Sequence, residues 1–297
     1  MQVPAPLQTL FSYFPLYTHP PLHPNAKSVE EPTIWVHPPS TSLLSSDVEC
    51  LKWQAYLALR GLDGIRVRSD VDAQGAIGGR LPNLHVPHDA SATYSWTENN
   101  KGPVSLLSAP QIVEWVDVKL AHSALDDLWE GYKDEAAKDE SRAWVALLEG
   151  HVHAALILAQ PPRSFFQSLF DAPTPPSTAQ PLLVPPPTSG FFPSYSITFL
   201  SPFGTASANP NTRISPAMKK AIFNDYADAI KALSEKLGSQ KWFLGSEHPT
   251  PLDALLFAYL HCLLGSSDVV RAQVTERVNL VAWELRVRRT VKAAFVS

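Results

Sequence analysis

The sequence predicts an α/β half followed by an all-α half, and three observations carry that prediction. Short β-branched and aromatic runs alternate with helical patterns between residues 33 and 120. Only helical patterns fill residues 141–160 and 216–296. Prolines, which break both kinds of element, lie mostly outside these regions: of 28, nine fall in residues 1–39 and thirteen in 161–216. With 297 residues, 45% of them apolar and 18% charged, the chain has enough apolar mass for a substantial core in two parts.

The first element is the strand candidate TIWVH from Thr33, followed by the loop PPSTSLLS. Ser46 and Glu49 read as an S-x-x-E capping box opening a helix in which Val48, Leu51, Ala55 and Leu59 share a face, and Gly61 stops it. Ile65–Ser69 is the next strand, and a glycine-rich turn over Gly75–Gly79 leads to an extended run, Arg80–Val86, with Pro82 near its start. Val104–Leu107 is a further strand and Ala109–Leu120 an amphipathic helix with Ile112, Val113, Val116 and Leu120 inward. The order β-α-β then β-β-α, with a proline opening the third strand, is the layout of a thioredoxin-like domain. Further helices are expected over residues 141–160, 216–237, 250–264 and 267–296. Within KWFLGSEHPTPLDALLFAYLHCLL, Thr250 and Asp253 form a T-x-x-D capping pair, with Pro251 at the first helical position and an almost uncharged helix behind it. Asp253 is therefore read as a capping carboxylate and not as a catalytic acid. The expected division is a Pro- and aromatic-rich segment 1–32, a thioredoxin-like domain 33–122, and a helical domain 123–297 with a Pro-rich insertion 161–215.

A formal charge of −4 and a pI near 6.2 provide no bulk attraction to nucleic acid, so no nucleic-acid partner is expected. The most apolar stretch, Leu252–Leu264, is shorter than the roughly 18 residues of a spanning helix. No basic residue precedes Lys27, which fits neither a secretory signal nor an Arg-rich presequence. Cys50 and Cys262 sit in apolar helical patterns and read as buried thiols in a reducing compartment rather than as a disulfide.

Candidate chemistry is sparse. The loop before the first helix, the leading chemical position of thioredoxin-like folds, offers Ser40, Thr41, Ser42, Ser45 and Ser46 but no cysteine. Capping accounts for Ser46, and Cys50 lies one turn inside the helix, where a core thiol is expected. His151 and His153 point about 200° apart on a helix and cannot share an ion, while His85 and His88 flank Pro87 and read as surface groups; no metal site is expected. The N-terminal segment and the insertion are too rich in aromatics for solvated linkers, which makes Phe11, Phe14, Phe191 and Phe192 candidate partner-binding residues. Arg288 and Arg289, in the basic end of the last helix, are further candidates for an acidic partner surface.

LLSSDVECLKWQAYLALRGL, GRLPNL, LLSAPQIVEWV and KWFLGSEHPTPLDALLFAYLHCLL, in this order, resemble the metaxin family, a glutathione-transferase-like group found at mitochondria. The start FSYFPLYTHPP followed by SSDVECLKWQAYL is similar to the fungal peripheral branch that serves the sorting and assembly machinery (SAM complex) of the outer membrane. The resemblance implies a glutathione-transferase-like fold without catalytic or cofactor-binding residues. It also implies a peripheral place on the cytosolic face of the mitochondrial outer membrane, held by protein contacts. The implied partners are a membrane β-barrel core subunit, a second metaxin-like subunit and β-barrel precursor proteins in transport and insertion. Glutathione transferases hold the γ-glutamyl end of glutathione with a Glu-Ser pair before the helix that follows the last strand. Here Ser108-Ala109 occupies that place and the acid is missing. The competing expectation is a glutathione transferase or thiol-dependent reductase that uses Ser46 or Cys50; a third is a soluble scaffold.

Overall fold

Strand β1 (Thr33–Trp35) lies in the middle of a mixed sheet ordered β4-β3-β1-β2-β5. The structure is a computed structural model that describes residues 31–37, 43–71, 73–87, 104–120, 131–159 and 216–296. Residues 1–30 and 160–215, which hold the four candidate phenylalanines, lie outside them. β1 runs parallel to β2 (Ile65–Arg68), with Ile34 opposite Val67, and a parallel neighbour requires a crossover. Helix α1 (Val48–Leu59) supplies it. β3 (Asn83–Pro87) pairs antiparallel with β1, and β4 (Val104–Ser108) antiparallel with β3, before α2 (Ala109–Leu120) packs back on both. Ile34, Val36, Leu84 and Leu107 are fully buried between the sheet and its helices. The Leu81–Pro82 peptide bond before β3 is cis.

The second half is helical: α3 (Glu135–Leu147), a π-helical turn (Leu148–Val152), α4 (His153–Ala159), α5 (Pro216–Leu237), α6 (Pro251–Leu264), α7 (Asp268–Thr275) and α8 (Val278–Ala293). α6 is buried along nearly its whole length, as expected for a helix apolar on all sides, and it packs chiefly on α1. This contact joins the halves. α6 has the expected capping box: Thr250 accepts from the Asp253 N–H, and the Asp253 carboxylate accepts from the Thr250 N–H at 2.8 Å.

Several expectations are corrected. The N-cap of α1 is Asp47, whose carboxylate accepts from the Cys50 N–H at 2.9 Å, and not Ser46. Glu49 turns instead to Lys52 (2.7 Å) and to the indole N–H of Trp53 (3.1 Å), so the S-x-x-E template fails because its acid has stronger donors nearby. The helix expected from 141 starts at Glu135, because Asp134 caps it through the Ala137 N–H at 2.7 Å. α2 buries Trp115 with Ile112 and Val116, whereas Val113 and Leu120 are partly buried. His85 faces the interior of β3 and is 3% exposed, not a surface group. The helix expected over 267–296 breaks at Glu276–Arg277, where Arg277 leaves the helical backbone (φ −104°, ψ 86°). It ends at Ala293, and Phe295–Val296 form β5, parallel to β2 with Ile65 opposite Phe295.

Candidate functional site

The loop entering α1 is tied down by buried polar groups. Gln54, fully buried on α1, donates to the Leu43 carbonyl at 3.0 Å and accepts from the Ser45 N–H at 2.8 Å. The Ser45 hydroxyl, also buried, donates to the His37 carbonyl and accepts from the Asp47 N–H, each at 3.2 Å. Four loop positions are thus referenced to one helical side chain. Ser46 is exposed, and its carbonyl accepts from the Cys262 thiol at 3.3 Å. Cys50 is fully buried, and burial together with the Asp47 charge pushes its thiol well above the ordinary range. Burial pushes Cys262 up to about 12. Both cysteines are free and, as thiols, poor nucleophiles. The side-chain donors of His37, Asp47 and Cys50 all lie within 4.8 Å of one another.

Beside Pro82 and at Ser108, the polar groups are engaged. The Asn83 amide donates to the Pro82 carbonyl at 3.0 Å, and its oxygen accepts from the Ile77 N–H at 2.9 Å. At the start of α2, Gln111 Oε1 accepts from both the Ser108 N–H (2.9 Å) and the Ser108 hydroxyl (2.8 Å). With a one-residue shift of register, Ser108 takes the serine place of the transferase pair, and these are then the two groups that such a pair would offer to the γ-glutamyl end of glutathione.

A half-buried polar cluster lies where α1 meets the helical half. Glu149 projects from the π turn, and burial pushes its carboxyl up to about 7, with Glu49 adding to the rise and Lys52 opposing it. Tyr259 on α6 and His153 Nδ1 are 3.3 Å apart, and burial lowers the His153 imidazole. Sequence reasoning missed Glu149; Gly150 in mid-helix was the available signal, since π turns gather at irregular and functional positions. It also missed Glu284, which is fully buried and bound to His261 Nδ1 and Arg288, each at 2.7 Å. Arg288 is thus engaged inside the helical half, whereas Arg289 is exposed. His151 is exposed beside Asp225 at 3.8 Å, away from the Tyr259 contact of His153.

A model of the glutathione S-transferase C-terminal domain matches residues 226–287. No curated protein matches the sequence. Among solved structures, a glutathione transferase family member from Pseudomonas fluorescens pf-5 with two glutathione bound is 11% identical, with a TM-score of 0.47, over 90% of this chain and 95% of that one. Glutathione S-transferase III in apo form is 16% identical, with a TM-score of 0.45, over 89% of this chain and 97% of that one. A maleylacetoacetate isomerase from Anaeromyxobacter dehalogenans 2CP-1, with dicarboxyethyl glutathione bound, is 14% identical, with a TM-score of 0.42, over 89% of this chain and 90% of that one. The match over residues 226–287 corrects the expectation that the chain is not an enzyme, because the matched domain is that of glutathione S-transferases. The chain has a glutathione-transferase-like fold, with a thioredoxin-like part built on a mixed five-stranded sheet and a helical C-terminal part.

Proposed function

We propose that the chain is a peripheral subunit of the mitochondrial outer-membrane sorting and assembly machinery and helps recognise and insert β-barrel precursors. In this reading it sits on the cytosolic face, bound to the membrane β-barrel core subunit and to a second metaxin-like subunit. One structural observation supports the reading beyond the sequence resemblance: Ser108, one residue from the serine place of the transferase pair, is bonded through both its N–H and its hydroxyl to Gln111. Engaged in this way, Ser108 is one contact fewer for glutathione. Among the described residues, β4 pairs only with β3. A precursor's terminal strand, extended and amphipathic, can add to such an edge by main-chain hydrogen bonds. No helix among the described residues is long and apolar enough to cross a membrane, and the proposal assigns membrane residence to protein contacts.

Affinity purification of the tagged chain from mild-detergent extracts of mitochondria, followed by mass spectrometry, tests this. The expected co-purifying species are an outer-membrane β-barrel protein and a second metaxin-like protein. Recovery of the chain alone from the soluble fraction would overturn the proposal. A glutathione transferase is the second reading, favoured by the match over residues 226–287. Retention on immobilised glutathione, with conjugating activity, would support it.

A further inference from the structure

We propose that His37, Asp47 and Cys50 form a binding site for a divalent transition-metal ion of the zinc class. Imidazole, carboxylate and thiol donors from the end of the first strand segment and the start of α1 converge with all three ligand atoms within 4.8 Å of one another. Zn²⁺ takes N, O and S donors at about 2.0–2.3 Å in tetrahedral geometry, so these donors need to close by only about 1 Å around the ion. His37 is half-buried and can make that adjustment by side-chain rotation, whereas Cys50 is fully buried and fixed. A thiolate in the set selects zinc-like ions over magnesium or calcium.

The surroundings are organised as support for such ligands. Ser45 bridges the backbones of His37 and Asp47, and Gln54 anchors Ser45, so the two backbone positions that carry these ligands are tied to each other and to α1. Among the described residues no cation pairs with Asp47, since Lys52 is directed to Glu49. On binding, Cys50 gives up its proton to solvent and becomes the thiolate ligand. Three protein ligands leave a fourth position for water or an exogenous donor, beside the half-buried faces of His37 and Asp47.

Cobalt(II) titration of the untagged, metal-stripped full chain tests the site. The expected result is one-to-one binding with a thiolate-to-cobalt charge-transfer band in the near ultraviolet and displacement of the cobalt by zinc. Cys50→Ala removes the band, and Cys262→Ala leaves it. His37→Gln and Asp47→Asn each weaken binding at least about tenfold, the scale reached even by loss of groups that only orient ligands. Zinc also raises the melting temperature of the parent chain, and His37→Gln abolishes that rise. His37 is half-buried, so this variant keeps the fold and remains informative even if Cys50→Ala misfolds. A charge-transfer band that survives Cys50→Ala, zinc affinity unchanged in His37→Gln, or no binding by the parent chain would overturn the proposal.

Discussion

Asp253 joins two segments that local rules treat separately. Its carboxylate is fully buried and accepts from the Phe243 N–H (2.8 Å), the Thr250 N–H (2.8 Å) and the Thr250 hydroxyl (2.7 Å), so it closes the capping box and also pins the turn before α6. Burial pushes its carboxyl up to about 6, against the pull of these donors. Asp253→Ala leaves three buried donors without an acceptor, and each orphan costs about 1–3 kcal/mol. The expected loss of stability is about 3–5 kcal/mol, with a smaller loss for Asp253→Asn, read from urea-unfolding midpoints. A loss under about 1 kcal/mol for the alanine variant would remove Asp253 from this role. The cap was legible because its signal is four consecutive residues, Thr250 to Asp253. The bond to Phe243 was not, because it depends on a turn whose Leu244 adopts a left-handed backbone (φ 61°). Asp47 was hidden for the opposite reason: two local templates overlapped, and Ser45, Gln54 and Lys52 decided between them through contacts that spacing does not encode.

At the scale of the element, the π turn Leu148–Val152 shifts the helical register between α3 and α4 and carries Glu149 against α1 and α6. The groups acting on Glu149 are Lys52 and Glu49 from α1, and the half-buried carboxyl in turn acts on Tyr259 of α6. The folded chain holds the Glu149 proton up to about 7, above the ordinary glutamate value of 4.5 expected once the chain is unfolded. Between these values the native state binds more proton than the unfolded state, so stability falls as pH rises through this window and levels off above it. From about pH 5 to about pH 8 the parent chain is expected to lose on the order of 1 kcal/mol more than Glu149→Gln, after allowance for partial solvent screening. Asp253 titrates in the same range but is common to both proteins and cancels in the difference. Urea unfolding of the two proteins at both pH values checks this, and parallel pH dependences would remove Glu149 as the source. The helix was legible from its apolar spacing. The turn was not, since Gly150 marks an irregularity without giving its hydrogen-bond pattern.

At the scale of the whole molecule, the two halves are joined through both a helix and the sheet. α1 lies on α6, and β5, arriving from the end of α8, extends the sheet beside β2 through the Ile65 N–H to Ala294 carbonyl bond at 3.3 Å. The division into an α/β half and a helical half followed from periodicity. β5 did not, because two residues are too few to show alternation and their partner is at the other end of the domain order. Phe295 is 6% exposed, and its ring completes the core beneath the sheet edge. Phe295→Ala removes a buried aromatic, with an expected cost of about 3–5 kcal/mol. The position of the lesion predicts how that cost is distributed. If β5 and the α1–α6 contact make the halves one cooperative unit, protection lost at Phe295 is lost in both. Hydrogen exchange followed by mass spectrometry at increasing urea should then show peptides from β1–β3 and peptides from α6–α8 opening at the same, lowered midpoint. Opening of the sheet at lower urea while α6–α8 keep the parent midpoint would make β5 a local edge of the sheet and leave the α1–α6 contact without cooperative weight.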